Sequence, residues 1–258
     1  MDAILIAGGI PQPDEPLYSV TQGKHKALVD INGKAMVQWV LDALSEAQSV
    51  GNIVVIGLPP DSRLTSSKQL TFIPNQVDML ENIRTGIKKV LEINPSAEYA
   101  LLVSSDIPTI TAQIVDWVVN TALETSDDVY YNVISQEVME KRFPASKRSY
   151  TKLRDITVCG GDINIVRTAL VSEDNEIWPK IIAARKNVFK QASLLGFDTL
   201  LLLMLRAVTL EGAVKRVSKR LNLRGRAVLC PFAEVGMDVD KPFQLEIVQA
   251  DLSGRGKA

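Results

Sequence analysis

Short apolar runs alternate with longer stretches in which apolar side chains recur at helical spacing, and this alternation organises the first half of the chain. Ala3–Ile6 reads as a buried strand, followed by a long loop that opens at Gly8-Gly9. Met36–Ala47 places Val37, Val40, Leu41 and Leu44 on one face, the spacing of an amphipathic helix. Ile53–Ile56 and Leu70–Ile73 read as further strands and Asp78–Leu91 as a helix. Ala100–Val103 is a strand that runs into Ser104-Ser105-Asp106, and Thr111–Leu123 is a helix with Thr111 as its N-cap. Strand–helix alternation of this kind predicts an α/β fold, a mostly parallel sheet with helices on both faces. Ligands of such sheets lie beyond the carboxyl ends of the strands. Gly8-Gly9 and Asp106 both fall there.

Past Asp127 the pattern changes. Val129–Ile134 reads as a strand, Glu137 to Arg154 is polar and basic, and Thr157–Cys159 runs into Gly160-Gly161. Trp178 to Asn222 reads as mostly helical, before a last strand at Ala227–Leu229 and a helix after Pro242. No internal repeat or linker-like tract interrupts the chain, so the expectation is one domain over residues 1–258 with a helical elaboration in its second half. The most apolar stretch, Leu194 to Leu210, contains Asp198 and Arg206. Its uninterrupted run, Leu200–Leu205, is far shorter than the roughly 20 residues needed to cross a bilayer. The expectation is a buried helix and no membrane partner.

Composition narrows the function classes. The 258 residues are 46% hydrophobic and 23% charged, with 29 Lys+Arg against 30 Asp+Glu, which excludes disordered, collagenous and coiled-coil chains. A net charge near zero gives no global attraction to nucleic acid, so any anion site must be local. Cys159 and Cys230 form neither a disulfide framework nor a CxxC pair, which together with the absence of a signal-like N-terminus points to the cytoplasm.

Gly8-Gly9 after a strand lets the backbone approach a phosphate closely, and it equally suits a structural turn. The chain lacks G-x-G-x-x-G, and Gly33-Lys34 lacks the upstream glycine and following Ser/Thr of a P-loop. A dinucleotide dehydrogenase and a P-loop kinase are thereby disfavoured. Lys24 and Lys26 lie in the long loop after the first strand, where a cation can meet phosphate.

These segments resemble a family. Ile6-Ala7-Gly8-Gly9, Lys26-Ala27-Leu28 and Gly33-Lys34-Ala35-Met36-Val37 are similar to the L-A-G-G … P-K-x-L … G-K-P-M-I signature of the MobA-like nucleotidyltransferases. Asn82-Ile83-Arg84-Thr85-Gly86-Ile87 resembles their S-V-x-x-G-L helix, Asp106-Ile107-Pro108 their D-x-P, and Asp238-Val239-Asp240-Lys241-Pro242 their late D-x-D-T-P. Two positions depart from the pattern. Ile10-Pro11-Gln12-Pro13 replaces the usual third glycine and arginine, and His25 replaces the proline before the lysine. Lys24 is the candidate substitute for that arginine.

The resemblance implies a GT-A-like, Rossmann-like sheet and Mg²⁺-dependent transfer of an NMP group from an NTP to a small anionic acceptor, with release of pyrophosphate. Lys26 would stabilise charge at the α-phosphate. Asp106 and Asp240 would hold the metal, with Asp238 a second candidate. Ala7, Gly8, Gly9, Lys24 and Lys26 would line the nucleotide, and Asn82 would read the base. Each acid also has a plainer reading: Asp106 as a helix cap, Asp238 and Asp240 as a solvated turn. Lys141, Arg142, Lys147, Arg148, Lys152 and Arg154 form a local basic patch, either a solvated hairpin or an acceptor site led by Arg142 and Arg148. Two alternatives to the transferase stay open, a nucleotide-binding regulatory module and a nucleotide-sugar glycosyltransferase.

Overall fold

A computed structural model describes residues 1–171 and 197–254. The chain runs through β1 (Asp2–Ile6), α1 (Tyr18–Thr21), the hairpin β2 (Asp30–Ile31) and β3 (Lys34–Ala35), α2 (Met36–Glu46), β4 (Ile53–Ile56), β5 (Leu70–Ile73) and α3 (Met79–Ile93). It continues with β6 (Tyr99–Ser104), α4 (Ala112–Ala122), β7 (Val129–Ser135), α5 (Gln136–Arg142), β8 (Thr151–Lys152) and β9 (Thr157–Arg167). The described residues end with α6 (Phe197–Met204), α7 (Leu210–Leu221), β10 (Gly225–Leu229) and α8 (Pro242–Ser253). The first part of the expected Trp178–Asn222 helical stretch lies outside the described residues. None of the described helices is long and apolar enough to cross a membrane.

The main sheet has the order β10-β7-β9-β6-β1-β4-β5. β1 pairs in parallel with both β4 and β6, β4 with β5, and β7 with β10. Both faces of the central strands are buried, which explains why they read as continuous apolar runs. Ala3, Leu5, Leu101 and Val103 pack with α2 and α4 on one side. Ile4, Val54, Ile56 and Leu102 pack with α3 on the other. Each fully buried Leu or Ile contributes about 1.5–3 kcal/mol relative to exposure. Gly86 lets α3 lie close on the sheet, since a Cβ there would stand 2.7 Å from Ile4 Cγ2.

Four points depart from the sequence reading. The apolar run Leu200–Leu205 is not a buried helix: Leu201, Met204 and Leu205 are 50%, 73% and 62% exposed. β1 begins one residue early, at Asp2, because its buried carboxylate accepts hydrogen bonds from the Asn52 N–H at 2.7 Å, Asn52 Nδ2 at 3.0 Å and Asn94 Nδ2 at 3.1 Å. The basic stretch Lys141–Arg154 is not a simple hairpin, because it begins inside α5. Ser135 caps α5 by accepting from the Val138 N–H, and Lys141 and Arg142 occupy its last turn, where cations suit the helix dipole.

The last departure matters most. Thr157–Cys159, which the apolar pattern leaves unassigned, starts the 11-residue β9, which runs antiparallel between β6 and β7. Two glycines and the polar Asp162 and Asn164 mask its apolar alternation. Asn164 is paid for locally: its Oδ1 accepts from the Asn132 N–H at 2.9 Å and its Nδ2 donates to the Gly161 carbonyl at 3.0 Å, across a register shift between Tyr131 and Val133.

The hairpin tip, Asn32 and Gly33, has positive φ at both residues, and Asn32 Nδ2 donates to the Gln249 carbonyl at 2.8 Å. The N-terminal third is thereby fastened to α8. Replacing Asn164 with alanine strands the Asn132 N–H and the Gly161 carbonyl. The expected loss is about 1–3 kcal/mol per stranded buried group, read by urea unfolding.

Candidate active site

The loop after β1 is tied at its base by the Lys26 N–H, which donates to the Gly9 carbonyl at 2.9 Å. A single 3-10 turn, Lys26–Leu28, then points the Lys26 side chain back over the strand ends. Its ammonium donates to Asp106 Oδ2 and to Asp240 Oδ1, each at 2.5 Å. Asp106 sits just past β6, and its other oxygen accepts from Ser104 Oγ at 2.6 Å. The Val239 N–H donates to the Asp106 carbonyl at 3.0 Å, which fixes the late D-x-D segment beside it. Gln244 then accepts from the Asp240 N–H at 2.9 Å.

Burial opposes the charge on Lys26, but the carboxylates of Asp106 and Asp240 outweigh it and hold the ammonium above its usual pKa. A third acid joins them. β9 runs on from the Val103–Ile163 pair so that Asp162 lies at the carboxyl end of β6. Burial, reinforced by the negative charges of Asp106 and Asp240 and opposed by Arg148, pushes Asp162 up to about 7. Sequence reasoning missed this residue. Its only signal is a lone acid directly after a glycine pair in an otherwise apolar alternation.

A cavity of about 490 Å³ opens from Lys26 and Asp240 along the loop Gly9–Leu17, with Lys241 on its wall. Ala7 is buried at the end of β1, where its N–H extends the pairing by donating to the Ile56 carbonyl. Gly57 has φ +95°, and a Cβ on it would stand 2.2 Å from Gly8 Cα, so the two backbones touch. On the other side of Gly8 lies Asn75, which accepts a 2.9 Å bond from Asn82 Nδ2, while Asn82 Oδ1 accepts from the Gln76 N–H at 2.8 Å. Asn82 is therefore buried at the first turn of α3.

The remaining expected residues fall elsewhere. Lys24 is exposed in the loop and does not line this cavity. Asp238 is ion-paired with Arg148, and both side chains are largely buried. Arg142 bonds Glu234 at 2.9 Å and Asp251 at 2.6 Å, clamping α5 to α8. Burial pushes the thiols of Cys159 and Cys230 upward, the latter to about 11, so neither offers a thiolate at neutral pH.

Asp106 and Asp240 converge on the Lys26 ammonium, and among the described residues no group of three or more acidic, histidine or cysteine side chains could hold a metal ion. Two carboxylates at an open site fit a hard divalent ion that completes its shell with water and phosphate oxygens.

The mostly parallel sheet with helices on both faces is the fold of nucleotidyltransferases. Residues 3–221 match the family model of the MobA-like NTP transferase domain, and the chain belongs to that family. Among solved structures it is similar to a hypothetical transferase from Thermus thermophilus, with 30% identity over 95% of this chain and 98% of that one and a TM-score of 0.79. It shares the fold of a CMP:2-keto-3-deoxy-manno-octonic acid synthetase complexed with CTP, at 15% identity, 98% and 99% coverage and a TM-score of 0.58. The same holds for 4-diphosphocytidyl-2C-methyl-D-erythritol synthase from Anaerococcus prevotii, at 11% identity, 98% and 95% coverage and a TM-score of 0.59. No match is found among curated proteins.

The raised pKa of Asp162 has a signed consequence. The folded state binds this proton more tightly than the unfolded chain, so its contribution to stability falls as pH rises from about 4 to about 7. In metal-free buffer, Asp162→Asn is expected to match wild type at pH 4 and to exceed it at pH 8 by on the order of 1–4 kcal/mol. Melting curves of both proteins across that range check it.

Proposed function

We propose that the protein transfers an NMP group from an NTP to a small anionic acceptor, in a Mg²⁺-dependent reaction that releases pyrophosphate. The observation that carries this reading is Lys26 held between Asp106 and Asp240 at the mouth of the cavity beside Gly9. An acceptor oxygen attacks the α-phosphorus in line, the new P–O bond forms, and the bond to the β-phosphate oxygen breaks. Such a step needs positioning and charge neutralisation more than a side-chain nucleophile. Lys26 neutralises charge on the non-bridging α-phosphate oxygens. Asp106 and Asp240 would hold Mg²⁺, which when bound supplies further neutralisation and a template for the phosphates.

Gly9, with open space where a Cβ would stand, lets the nucleotide approach the backbone. Gly8 is packed against Gly57 and Asn75, and the buried Asn82 braces that wall through Asn75 and Gln76. Arg148 serves the acceptor side, because it lies close enough to act on Asp162 and is held by Asp238. Arg142 supports that side through the clamp on α5.

Pyrophosphate release from each NTP with a panel of sugar and polyol phosphates tests the reaction. Lys26→Ala is expected to lower kcat roughly 10²–10³-fold, and Asp106→Asn to abolish turnover, in proteins whose circular dichroism matches wild type. Wild-type turnover in both variants overturns the assignment. Arg148→Ala is expected to raise the acceptor KM while the NTP KM stays unchanged. An unchanged acceptor KM removes Arg148 from that side.

A further inference from the structure

The loop that borders the cavity carries no arginine, yet a triphosphate brings several negative charges into whatever space receives it. Three prolines, Pro11, Pro13 and Pro16, restrict this loop, and the Gln12 N–H donates to Glu15 Oε2 at 2.6 Å. The Glu15 N–H donates to the Gln12 carbonyl at 2.9 Å, and the Lys26 N–H closes the loop onto Gly9. The wall is therefore built rather than loose. Its charges are Glu15, Asp240, Lys26 and Lys241.

Lys26 is already shared between two carboxylates. Lys241 is exposed, and among the described residues no carboxylate pairs with it; its ammonium stands 5.9 Å from the Phe243 ring. Its position is also fixed relative to the reacting centre. Lys241 directly follows Asp240, and its carbonyl accepts from the Gln244 N–H at 3.0 Å at the start of α8. Lys24, the cation expected from the sequence to face phosphate, is not on this wall.

We infer that Lys241, from the far end of the chain, is the cation that binds the β- and γ-phosphates of the NTP and the departing pyrophosphate. This rests on the transferase reading above and adds the residue that holds the leaving group. The cavity then divides by charge. Lys26 and its carboxylates serve the α-phosphate, Lys241 serves the polyphosphate tail, and Glu15 opposes added negative charge on the loop side. A lysine acts here as a mobile point charge, so arginine can replace it.

Inorganic tripolyphosphate is the probe, titrated calorimetrically into the full chain with Mg²⁺ and compared with NTP kinetics. Lys241→Ala is expected to weaken tripolyphosphate at least tenfold and to raise the NTP KM by a similar factor, with kcat changed less than threefold. Lys241→Arg restores affinity to within about threefold, and Lys24→Ala leaves it within twofold. Tripolyphosphate binding unaltered in Lys241→Ala, or lost only in Lys24→Ala, overturns the inference while leaving NTP turnover and the transferase reading intact. Absence of both NTP turnover and NTP binding in wild type instead removes the reading beneath it.

Discussion

Everything at the mouth of this sheet is organised by one lysine placed between two carboxylates. Lys26, Asp106 and Asp240 come from three separate segments, and no one of them would be stable there alone. An ammonium this buried loses hydration, and two acids this close repel each other. Together they offset those costs. The same arrangement sets one cation at the carboxyl ends of β1 and β6, where two carboxylates meet its charge.

β9 carries the second layer of that electrostatics. By entering antiparallel between β6 and β7 it delivers Asp162 to the same strand ends, beside acids already committed to Lys26. The cost appears as a carboxyl that holds its proton to about 7. Arg148, paired with Asp238, limits that cost from the other side. Positive and negative groups thus alternate through the site, and none of the principal charges is left facing only its own kind.

The parallel half of the sheet was legible in the sequence because its strands are buried on both faces and its helices carry clear amphipathic spacing. Thr111 and Asp78 announced the starts of α4 and α3, where their side chains accept from the Ile114 and Glu81 N–H groups. Lys26, Asp106 and Asp240 could be singled out because the segments that carry them resemble the family's motifs. β9 could not be read to its full length. Gly160 and Asn164 pair through β7, and Asp162 faces charges from other segments, partners that periodicity within one segment does not reveal. Lys241 was hidden for a similar reason: its relation to the loop at Gly9 exists only in the folded chain.

The ion pair between Lys26 and Asp240 spans 214 positions in sequence. Its acidic half cannot reach the lysine until α8 has emerged and docked against the hairpin at Asn32. Long-range closures of this kind slow folding, since loop entropy is spent before any contact returns it. During synthesis the carboxyl ends of β1 and β6 therefore hold Lys26 and Asp106 before Asp240 can join them. The charge balance around Lys26 is completed only once the segment carrying Asp240 has docked.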